Sequence, residues 1–261
     1  MIQNIKVSIV QTSLFWENTD KNIENFTSII SGLKNKTDLV VLPEMFTTGF
    51  SMNSEKLAET INGKSVNFMI DAAKQNNVSL VGSLIIKENN KYFNKLLFVN
   101  SDGKIYDYNK RHLFRMANEH NYYSQGNKEL IVDFKGWHIK PLVCYDLRFP
   151  VWARNKNNYD ILIYIANWPE RRSYAWKTLL RARAIENQSY VVGVNRVGTD
   201  QNNIIYSGDS AVINPYGEEI TDIKPHENKT QTIELSYKNL LEFRESFPVG
   251  KDADNFKILD L

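Results

Sequence analysis

The sequence predicts an α/β fold, because short apolar runs typical of buried strands alternate with amphipathic helical segments along the whole chain. The chain has 261 residues, of which 42% are hydrophobic and 24% charged, so it can bury a sizeable core. No Pro/Gly/Ser-rich linker, repeat or low-complexity segment divides the sequence. We therefore expect one domain over residues 1–261, in which residues from about 236 onward form a C-terminal helix and tail.

The first half of the chain begins with a strand, a helix and a second strand. Residues 5–10 predict a strand, and residues 20–33 predict an amphipathic helix with apolar residues at helical spacing on one face. The continuous apolar run 38–42 is typical of a strand buried on both faces. The remaining elements of this half, in order, are a helix at 66–75, strands at 79–86 and 92–100 around the turn 88–91, and a weaker strand at 105–109 after the turn 101–103.

The second half of the chain continues this alternation. Apolar runs predict strands at 137–144, 160–166 and 190–195, and a long helix at 173–187 lies between the last two. The run 210–235 predicts antiparallel strands around the turn 214–217, followed by a short helix near Leu240.

Charge and cysteine content exclude several classes of function. The net charge of +2 comes from 32 basic and 30 acidic residues spread along the chain without a basic block, so nucleic acid is not an expected partner. No apolar stretch is long enough to span a bilayer, and the first ten residues lack the regions of a signal peptide, so we expect a cytoplasmic protein without membrane contact. The single cysteine, Cys144, can form neither an internal disulfide nor a cysteine-rich zinc site, which leaves core packing or chemistry.

Polar side chains follow the apolar strands at the points where the strands end. Glu44 follows the run 38–43, Lys110 follows 105–109, Cys144 follows 141–143 and Asn167 follows 160–166. In open α/β sheets, ligands bind outside the carboxyl ends of the strands. If these strands lie side by side and parallel, a base, a cation and a nucleophile meet at one rim. Each residue taken singly also has a structural interpretation, as a turn carboxylate, a basic surface turn, a packed thiol or a turn amide.

Three segments resemble the signature motifs of the nitrilase superfamily of carbon–nitrogen hydrolases, whose catalytic set is glutamate, lysine and cysteine. They are residues 42–52 around Glu44, residues 108–114 around Lys110 and residues 142–150 around Cys144. The resemblance covers essentially the whole chain, because further segments are also similar to the family: 167–172, 176–187 and 208–217. Residues 47–52 and 243–248 are most similar to the bacterial ω-amidases, which act on 2-oxo-ω-amides.

The resemblance implies a four-layer α-β-β-α sandwich and a cysteine-dependent amidohydrolase. Such an enzyme releases ammonia from short ω-amides of 2-oxo dicarboxylic acids, such as 2-oxoglutaramate and 2-oxosuccinamate, through a thioester that water cleaves. It needs no metal and no organic cofactor. Glu44 would be the base and Cys144 the nucleophile, while Lys110 and the backbone N–H of Tyr145 would hold the oxyanion. Glu119 matches the family's second glutamate and would orient Lys110 or the amide.

The residue types fit this chemistry only as a set. A free cysteine has a pKa near ~8.5 and an ordinary glutamate near ~4.3, so moving the thiol proton to such a carboxylate costs roughly 6 kcal/mol. Burial makes a carboxylate a stronger base, and a nearby ammonium stabilises the thiolate. We therefore expect Glu44 to be buried and Lys110 to lie close to Cys144.

The residues that bind the substrate are less narrowly defined by the sequence. The distal carboxylate of a 2-oxo-ω-amide is expected to bind an arginine. Four arginines lie near the motifs, and the sequence does not choose among them: Arg115, Arg148, Arg171 and Arg172. The candidate substrate-binding residues are Phe46, Arg115, Asn167 and Trp168, with core packing an equal alternative for both aromatic residues. His112 and His120 are interpreted as loop histidines, because the glutamate already supplies the acid–base function.

Several alternatives stay open at the level of sequence. Another superfamily substrate, such as a nitrile, an N-carbamoyl amino acid or a different aliphatic amide, is compatible with the motifs, because pocket shape sets that choice. A non-catalytic interaction protein would not need the catalytic set, and a redox sensor would give Glu44 no role. The resemblance also implies a homodimer that pairs through the C-terminal tail and the helix 173–187, with Trp176 and Leu180 exposed at the interface.

Overall fold

Two β-sheets form the centre of the molecule in a computed structural model that describes residues 2–259, so residues 1, 260 and 261 of the predicted domain lie outside the described part. The strands, in chain order, are β1 Ile5–Gln11, β2 Leu39–Val41, β3 Ser79–Glu88, β4 Lys91–Val99, β5 Ile105–Asn109, β6 Val132–Phe134, β7 Trp137–Val143, β8 Ile161–Ala166, β9 Tyr190–Asn195, β10 Val197–Thr199, β11 Ile205–Ser207, β12 Ala211–Ile213 and β13 Lys229–Leu235. The α-helices are α1 Thr19–Ser31, α2 Ser54–Leu57, α3 Lys64–Asn76, α4 Pro150–Ala153, α5 Ser173–Asn187 and α6 Tyr237–Ser246.

The strand order places parallel strands at the centre of each sheet. The first sheet runs β13-β1-β2-β3-β4-β5, and β1, β2 and β3 are parallel in the register Val7–Leu39–Ser79. The second sheet runs β12-β9-β8-β7-β6, and β7, β8 and β9 are parallel. Because β4 is antiparallel to both β3 and β5, β5 points in the same direction as β2. The carboxyl ends of β2 and β5 therefore lie at the same edge of the first sheet.

The alternation of side chains along the strands shows how the layers stack. In β2, Leu39 and Val41 belong to the core shared with the second sheet, whereas Val40 packs with Phe26 of α1 and Met69 of α3. Both faces of the first sheet are thus covered, as the continuous apolar run predicted. Helix α5 covers the outer face of the second sheet. The layers are helices, sheet, sheet and helix, which confirms the four-layer sandwich.

Helix α5 has the predicted bounds but faces the opposite way from the prediction. Trp176 and Leu180, which we expected to be exposed, are both 0% exposed. They lie against Gly193 of β9, where a Cβ would come within 2.5 Å of Leu180 Cδ1 and 3.1 Å of Trp176 Cζ2. The absence of a side chain at Gly193 lets the helix approach the sheet closely, so the apolar face of α5 belongs to the core.

The prediction of paired strands within 210–235 was wrong. Strand β12 pairs with β9 in the second sheet, whereas β13 pairs with β1 in the first. Only an isolated bridge between Ile213 and Glu219 flanks the predicted turn. The chain therefore crosses from one sheet to the other, a long-range choice that local residue patterns do not encode. Within residues 2–259, no helix is both long and apolar enough to cross a membrane.

Candidate active site

Two of the loops at the strand ends contain a residue held in the left-handed region. Cys144 directly follows β7 and has φ 47°, and Met45, next to Glu44, has φ 44°. This conformation costs a non-glycine residue about 1–3 kcal/mol and persists only where the surroundings enforce it. The chain turns sharply after β7, and Cys144 is the first residue of a 3₁₀ segment, Cys144–Arg148. Cys144 is partly exposed.

The predicted site residues follow strands of two different sheets, and not strands of one parallel sheet as the sequence suggested. Glu44 and Lys110 follow β2 and β5 of the first sheet, whereas Cys144 and Asn167 follow β7 and β8 of the second. The strand directions match the prediction, but β2 and β5 are separated by two other strands. The side chains come together because the two sheets face each other.

The Glu44 carboxylate is fully buried and held from several sides. Its Oε1 accepts hydrogen bonds from Asn94 Nδ2 at 2.7 Å and from Lys110 Nζ at 3.0 Å. Its Oε2 accepts one from the backbone N–H of Asn167 at 2.8 Å, and the Asn167 side chain donates to the Glu44 carbonyl oxygen at 2.6 Å. These bonds fix the orientation of Glu44 before any substrate binds. The charge of this carboxylate acts on the Cys144 thiol and raises its pKa, in addition to the effect of burial.

Lys110 lies between two buried carboxylates. Nζ donates to Glu119 Oε1 at 2.9 Å and to Oε2 at 3.0 Å, in addition to its contact with Glu44, and it lies 5.1 Å from the centre of the Phe50 ring. Burial lowers the pKa of Lys110, but the charges of Glu119 and Glu44 outweigh burial and raise the pKa above its usual value. The lysine is therefore an ammonium. Burial raises the pKa of Glu119, against the opposing effect of Lys110.

The thiol of Cys144 is protonated in the resting site. Burial and the charge of Glu44 raise the pKa of Cys144 well above its usual value, and Glu119 raises it further. Lys110 lowers this pKa, but one ammonium does not offset two carboxylates and burial. Attack by sulfur therefore requires that the proton pass to Glu44 as the new bond forms.

Asp146 connects the cysteine loop to the lysine loop. This buried carboxylate accepts hydrogen bonds from Tyr108 Oη at 2.8 Å, from the N–H of His112 at 2.9 Å and from the N–H of Val143 at 3.1 Å. The ring of His112 stacks on Phe149 with centroids 3.7 Å apart and contacts Asp146 through Nδ1. His112 is therefore a structural loop residue, as interpreted from the sequence, and His120 is exposed.

A pocket of about 570 Å³ opens at Cys144. Its wall is formed by residues that follow several strands and by the long β1–α1 connection: Trp16, Glu17, Phe50, Phe114, Tyr145, Asn167, Trp168, Arg148, Arg171, Arg172, Asp200 and Tyr206. Tyr145 is in the first turn of the 3₁₀ segment, and its ring contacts Phe114 at 5.0 Å between centroids. The pocket can hold a small organic molecule next to the thiol.

Two of the candidate substrate-binding residues lie elsewhere. Phe46 is fully buried and packs edge-on against Phe26 at 5.2 Å, so core packing, the alternative interpretation, describes it. Arg115 is exposed and does not line the pocket at Cys144. Trp168 lines the pocket, and Asn167 lines it while also donating a hydrogen bond to Glu44.

The sequence reasoning missed Asn94, which is fully buried and contacts Glu44 directly. A polar amide between Phe93 and Lys95, in a strand with an apolar second half, was the available signal. It is ambiguous, because a buried asparagine serves equally well in a structural hydrogen bond.

Comparisons with known proteins identify the family of the chain. The sequence profile of the family described as carbon-nitrogen hydrolase matches residues 6–245. The chain is 46% identical over 254 residues to "Omega-amidase YafV" of Escherichia coli (strain K12), covering 97% of this chain and 98% of that protein. It is 32% identical over 251 residues to "2-oxoglutaramate amidase" of Bacillus subtilis (strain 168), covering 94% and 96%.

A solved structure shares the fold over nearly its whole length. XC1258 from Xanthomonas campestris, described as a CN-hydrolase superfamily protein with an arsenic adduct in its active site, superimposes with a TM-score of 0.96. It is 41% identical in sequence, and the match covers 98% of this chain and 99% of that one. With the family profile and these relatives spanning almost all of its residues, the chain belongs to the carbon–nitrogen hydrolase family.

Proposed function

We propose that this protein is an ω-amidase that releases ammonia from short ω-amides of 2-oxo dicarboxylic acids, with 2-oxoglutaramate as a substrate. The observation that carries the proposal is the contact of Lys110 with both Glu44 and Glu119 beside the Cys144 thiol. The relatives named as an ω-amidase and as a 2-oxoglutaramate amidase support the choice of amide. Water is the second substrate.

The first half of the reaction forms a thioester. As Sγ of Cys144 attacks the amide carbonyl carbon, Glu44 takes the thiol proton, so no free thiolate is needed. The oxyanion that develops is held by Lys110 Nζ and the backbone N–H of Tyr145, donors worth about 3–4 kcal/mol each when preorganised. Glu44 then gives its proton to the departing nitrogen, the carbon–nitrogen bond breaks, and ammonia leaves.

The second half of the reaction releases the acid. Glu44, again ionised, takes a proton from water while the water oxygen attacks the thioester carbonyl carbon. The same two donors hold the second oxyanion. When it collapses, the carbon–sulfur bond breaks and the thiol recovers its proton from Glu44. Glu119 does not touch the reacting atoms in this scheme; it positions Lys110.

A substrate panel tests the proposal. Ammonia release is measured with 2-oxoglutaramate, an N-carbamoyl amino acid and a simple aliphatic nitrile, using Cys144→Ala as the blank. We expect kcat/KM for 2-oxoglutaramate to exceed the other two by at least roughly 100-fold, because binding energy from a matched carboxylate lowers the barrier. Turnover of the nitrile or the carbamoyl amino acid alone would assign the site to another member of the family.

We also propose that the protein is a homodimer that pairs through the predicted elements, α5 and the C-terminal segment, but not through Trp176 and Leu180, which are buried. Ile185 of α5, Tyr216, Phe243 and Phe247 form a continuous apolar patch, in which the Tyr216 and Phe243 rings lie 4.1 Å apart. Three of these side chains are more than half exposed: Ile185 at 55%, Tyr216 at 55% and Phe247 at 59%. Patches of this kind mark interfaces.

Light scattering tests the dimer. We expect the wild-type mass to be twice that of the chain and Ile185→Glu to halve it, since a buried unpaired carboxylate is costly at an interface. Tyr174→Glu, which changes an exposed aromatic residue of α5 outside the patch, should stay dimeric. A monomeric wild-type protein would disprove the proposal.

A cytoplasmic location, which fractionation would test, is proposed because the catalytic thiol needs a reducing compartment.

A further inference from the structure

Three arginines surround the pocket at Cys144: Arg148, Arg171 and Arg172. The Arg148 guanidinium lies 5.0 Å from the centre of the Trp168 ring, and that of Arg172 lies 5.2 Å from the Phe114 ring. In the chain from residue 2 to residue 259, none of the three forms an ion pair with a carboxylate. Each arginine carries a full charge, so this part of the wall is strongly cationic.

The carboxylates of the same pocket are engaged elsewhere. Glu17 accepts a hydrogen bond from Ser51 Oγ at 2.6 Å. Asp200 accepts from Tyr206 Oη at 2.9 Å, from the N–H of Asn202 at 2.8 Å and from the N–H of Ile204 at 3.0 Å. Glu17 thus links two loops and Asp200 closes its own loop, and neither carboxylate forms an ion pair with the three arginines. The positive charge of the wall is therefore left for a ligand.

Arg172 is the member of this group best suited to grip that ligand. Its Nη2 donates only to the thioether sulfur of Met116, at 2.9 Å, and sulfur is a weak acceptor. Burial lowers the pKa of Arg172, and the like charges of Arg171 and Arg148 lower it further, so an anion beside it would relieve an unfavourable charge. Arg172 and Cys144 line the same pocket, so an anion bound by this guanidinium lies in the cavity that contains the nucleophile.

We propose that Arg172 binds the carboxylate of the substrate at the end opposite the amide, through paired N–H···O bonds, and that the arginine wall excludes 2-amino acids. The paired geometry is the one that guanidinium and carboxylate groups favour. A 2-oxo group is neutral, whereas the 2-ammonium group of glutamine would lie beside three positive charges. The inference rests on the proposed ω-amidase function and names the residue that gives it substrate selectivity.

The test compares a charged with an uncharged amide. For Arg172→Gln, we expect kcat/KM for 2-oxoglutaramate to fall by roughly 100-fold, mostly through KM, because one partner of a charge pair is lost. For butyramide, which has no carboxylate, the change should stay within about threefold. Arg172→Lys should recover part of the loss, and Arg115→Gln, which removes an exposed arginine outside the pocket, should change neither value. Glutamine should be a poor substrate of the wild type.

A second measurement does not depend on turnover. Cys144 is alkylated with iodoacetate, which carries a carboxylate, and with iodoacetamide, which does not, and the ratio of the two rates is compared. Arg172→Gln should lower this ratio about tenfold or more and leave the iodoacetamide rate nearly unchanged. Arg115→Gln should leave the ratio as it is.

The outcomes separate the two proposals. A wild type that does not hydrolyse 2-oxoglutaramate refutes the proposed function. A wild type that hydrolyses it, with an Arg172→Gln variant that loses charged and uncharged amides equally and keeps the alkylation ratio, overturns this inference alone. A larger selective loss in Arg148→Gln would likewise overturn the assignment to Arg172.

Discussion

Replacing Glu119 with glutamine should slow turnover and speed alkylation of Cys144. The Glu119 carboxylate accepts two hydrogen bonds from Lys110 Nζ, at 2.9 and 3.0 Å, and one from the N–H of Phe114 at 2.5 Å. A glutamine keeps one acceptor oxygen, which the Phe114 N–H retains, and turns an N–H donor toward Nζ. Lys110 then keeps its bond to Glu44 and a single acceptor from residue 119, at the Oε2 position, and loses the acceptor at Oε1. The site also loses one of its two negative charges.

The size of each effect follows from these contacts. Hydrogen bonds to charged groups are worth about 1.5–3 kcal/mol. A loosened oxyanion donor therefore lowers kcat by roughly 30- to 150-fold, or about 2–3 kcal/mol. Glu119 raises the pKa of Cys144, so Glu119→Gln should increase the thiolate fraction and the iodoacetamide rate, by roughly threefold or more.

Stability should change little in this variant. Because burial raises the pKa of Glu119, its ionised form is less favourable in the folded protein than in the unfolded chain. Removing that charge offsets the lost hydrogen bonds, so we expect the free energy of unfolding to stay within about 1 kcal/mol. Urea denaturation checks this, and it distinguishes a change at the site from a damaged fold.

The alkylation assay has a built-in reference, because Cys144 is the only cysteine in the chain and the mass gain on alkylation identifies the site. The matched control is Glu129→Gln, which also removes a carboxylate from a buried lysine, Lys140 at 2.6 Å, but away from the pocket. It should leave the iodoacetamide rate unchanged. If Glu119→Gln folds normally and is alkylated no faster than the wild type at pH 7, the electrostatic account of the site is wrong.

Three further changes test other parts of the structure. Because burial and Glu44 raise the pKa of Cys144, the rate of alkylation by iodoacetamide in the wild type should still rise above pH 9. The rate of a free thiol, with a pKa of about 8.5, levels off there. A plateau below pH 8 would contradict the raised pKa. Tyr108→Phe removes the 2.8 Å hydrogen bond to Asp146 and should lower the free energy of unfolding by about 2–3 kcal/mol in urea, whereas an unchanged midpoint would show that water replaces the hydroxyl. Gly82→Ala would bring a methyl group within 2.9 Å of Phe46 Cδ1 and should lower the free energy of unfolding by about 1–3 kcal/mol. Because Phe46 is two residues after Glu44, kcat should fall as well. Full activity would show that the position of Glu44 does not depend on this packing.

The fold could be predicted where local pattern and layer agree. The amphipathic helix α1 and the apolar strands β7, β8 and β9 lie close to their expected bounds, because burial on one or both faces leaves a regular trace in the sequence. The pairing of β12 and β13 with different sheets could not be predicted in this way. Strand partners are chosen by contacts distant in sequence, such as Ile5 with Leu235. The prediction of the exposed face of α5 was wrong for a related reason. The close approach of α5 to the sheet depends on Gly193, which lies on another element, β9.

Some residues of the site could likewise be predicted from the sequence, and others could not. Glu44, Lys110 and Cys144 could be named because each stands at the end of a strand, where side chains reach a ligand. Asn94 could not be named from the sequence, because it lies inside β4. Its role depends on its contact with the Glu44 carboxylate, which is distant in sequence and close only in the folded protein. Arg115 does not line the pocket at Cys144, because proximity to a motif in sequence does not fix where a side chain lies in three dimensions.

The neutral thiol of the resting site is consistent with catalysis because the proton acceptor is already in place. Glu44 is oriented by Asn94, by Lys110 and by the N–H of Asn167, so it can receive the proton without reorganising its surroundings. Two carboxylates beside one ammonium keep the cysteine protonated until an electrophile arrives. A lone thiol held in this state is a poor target for oxidants and alkylating agents, which react with thiolates. The raised pKa of Cys144 thus limits side reactions, while the arginine wall attracts the anion on which the thiol acts.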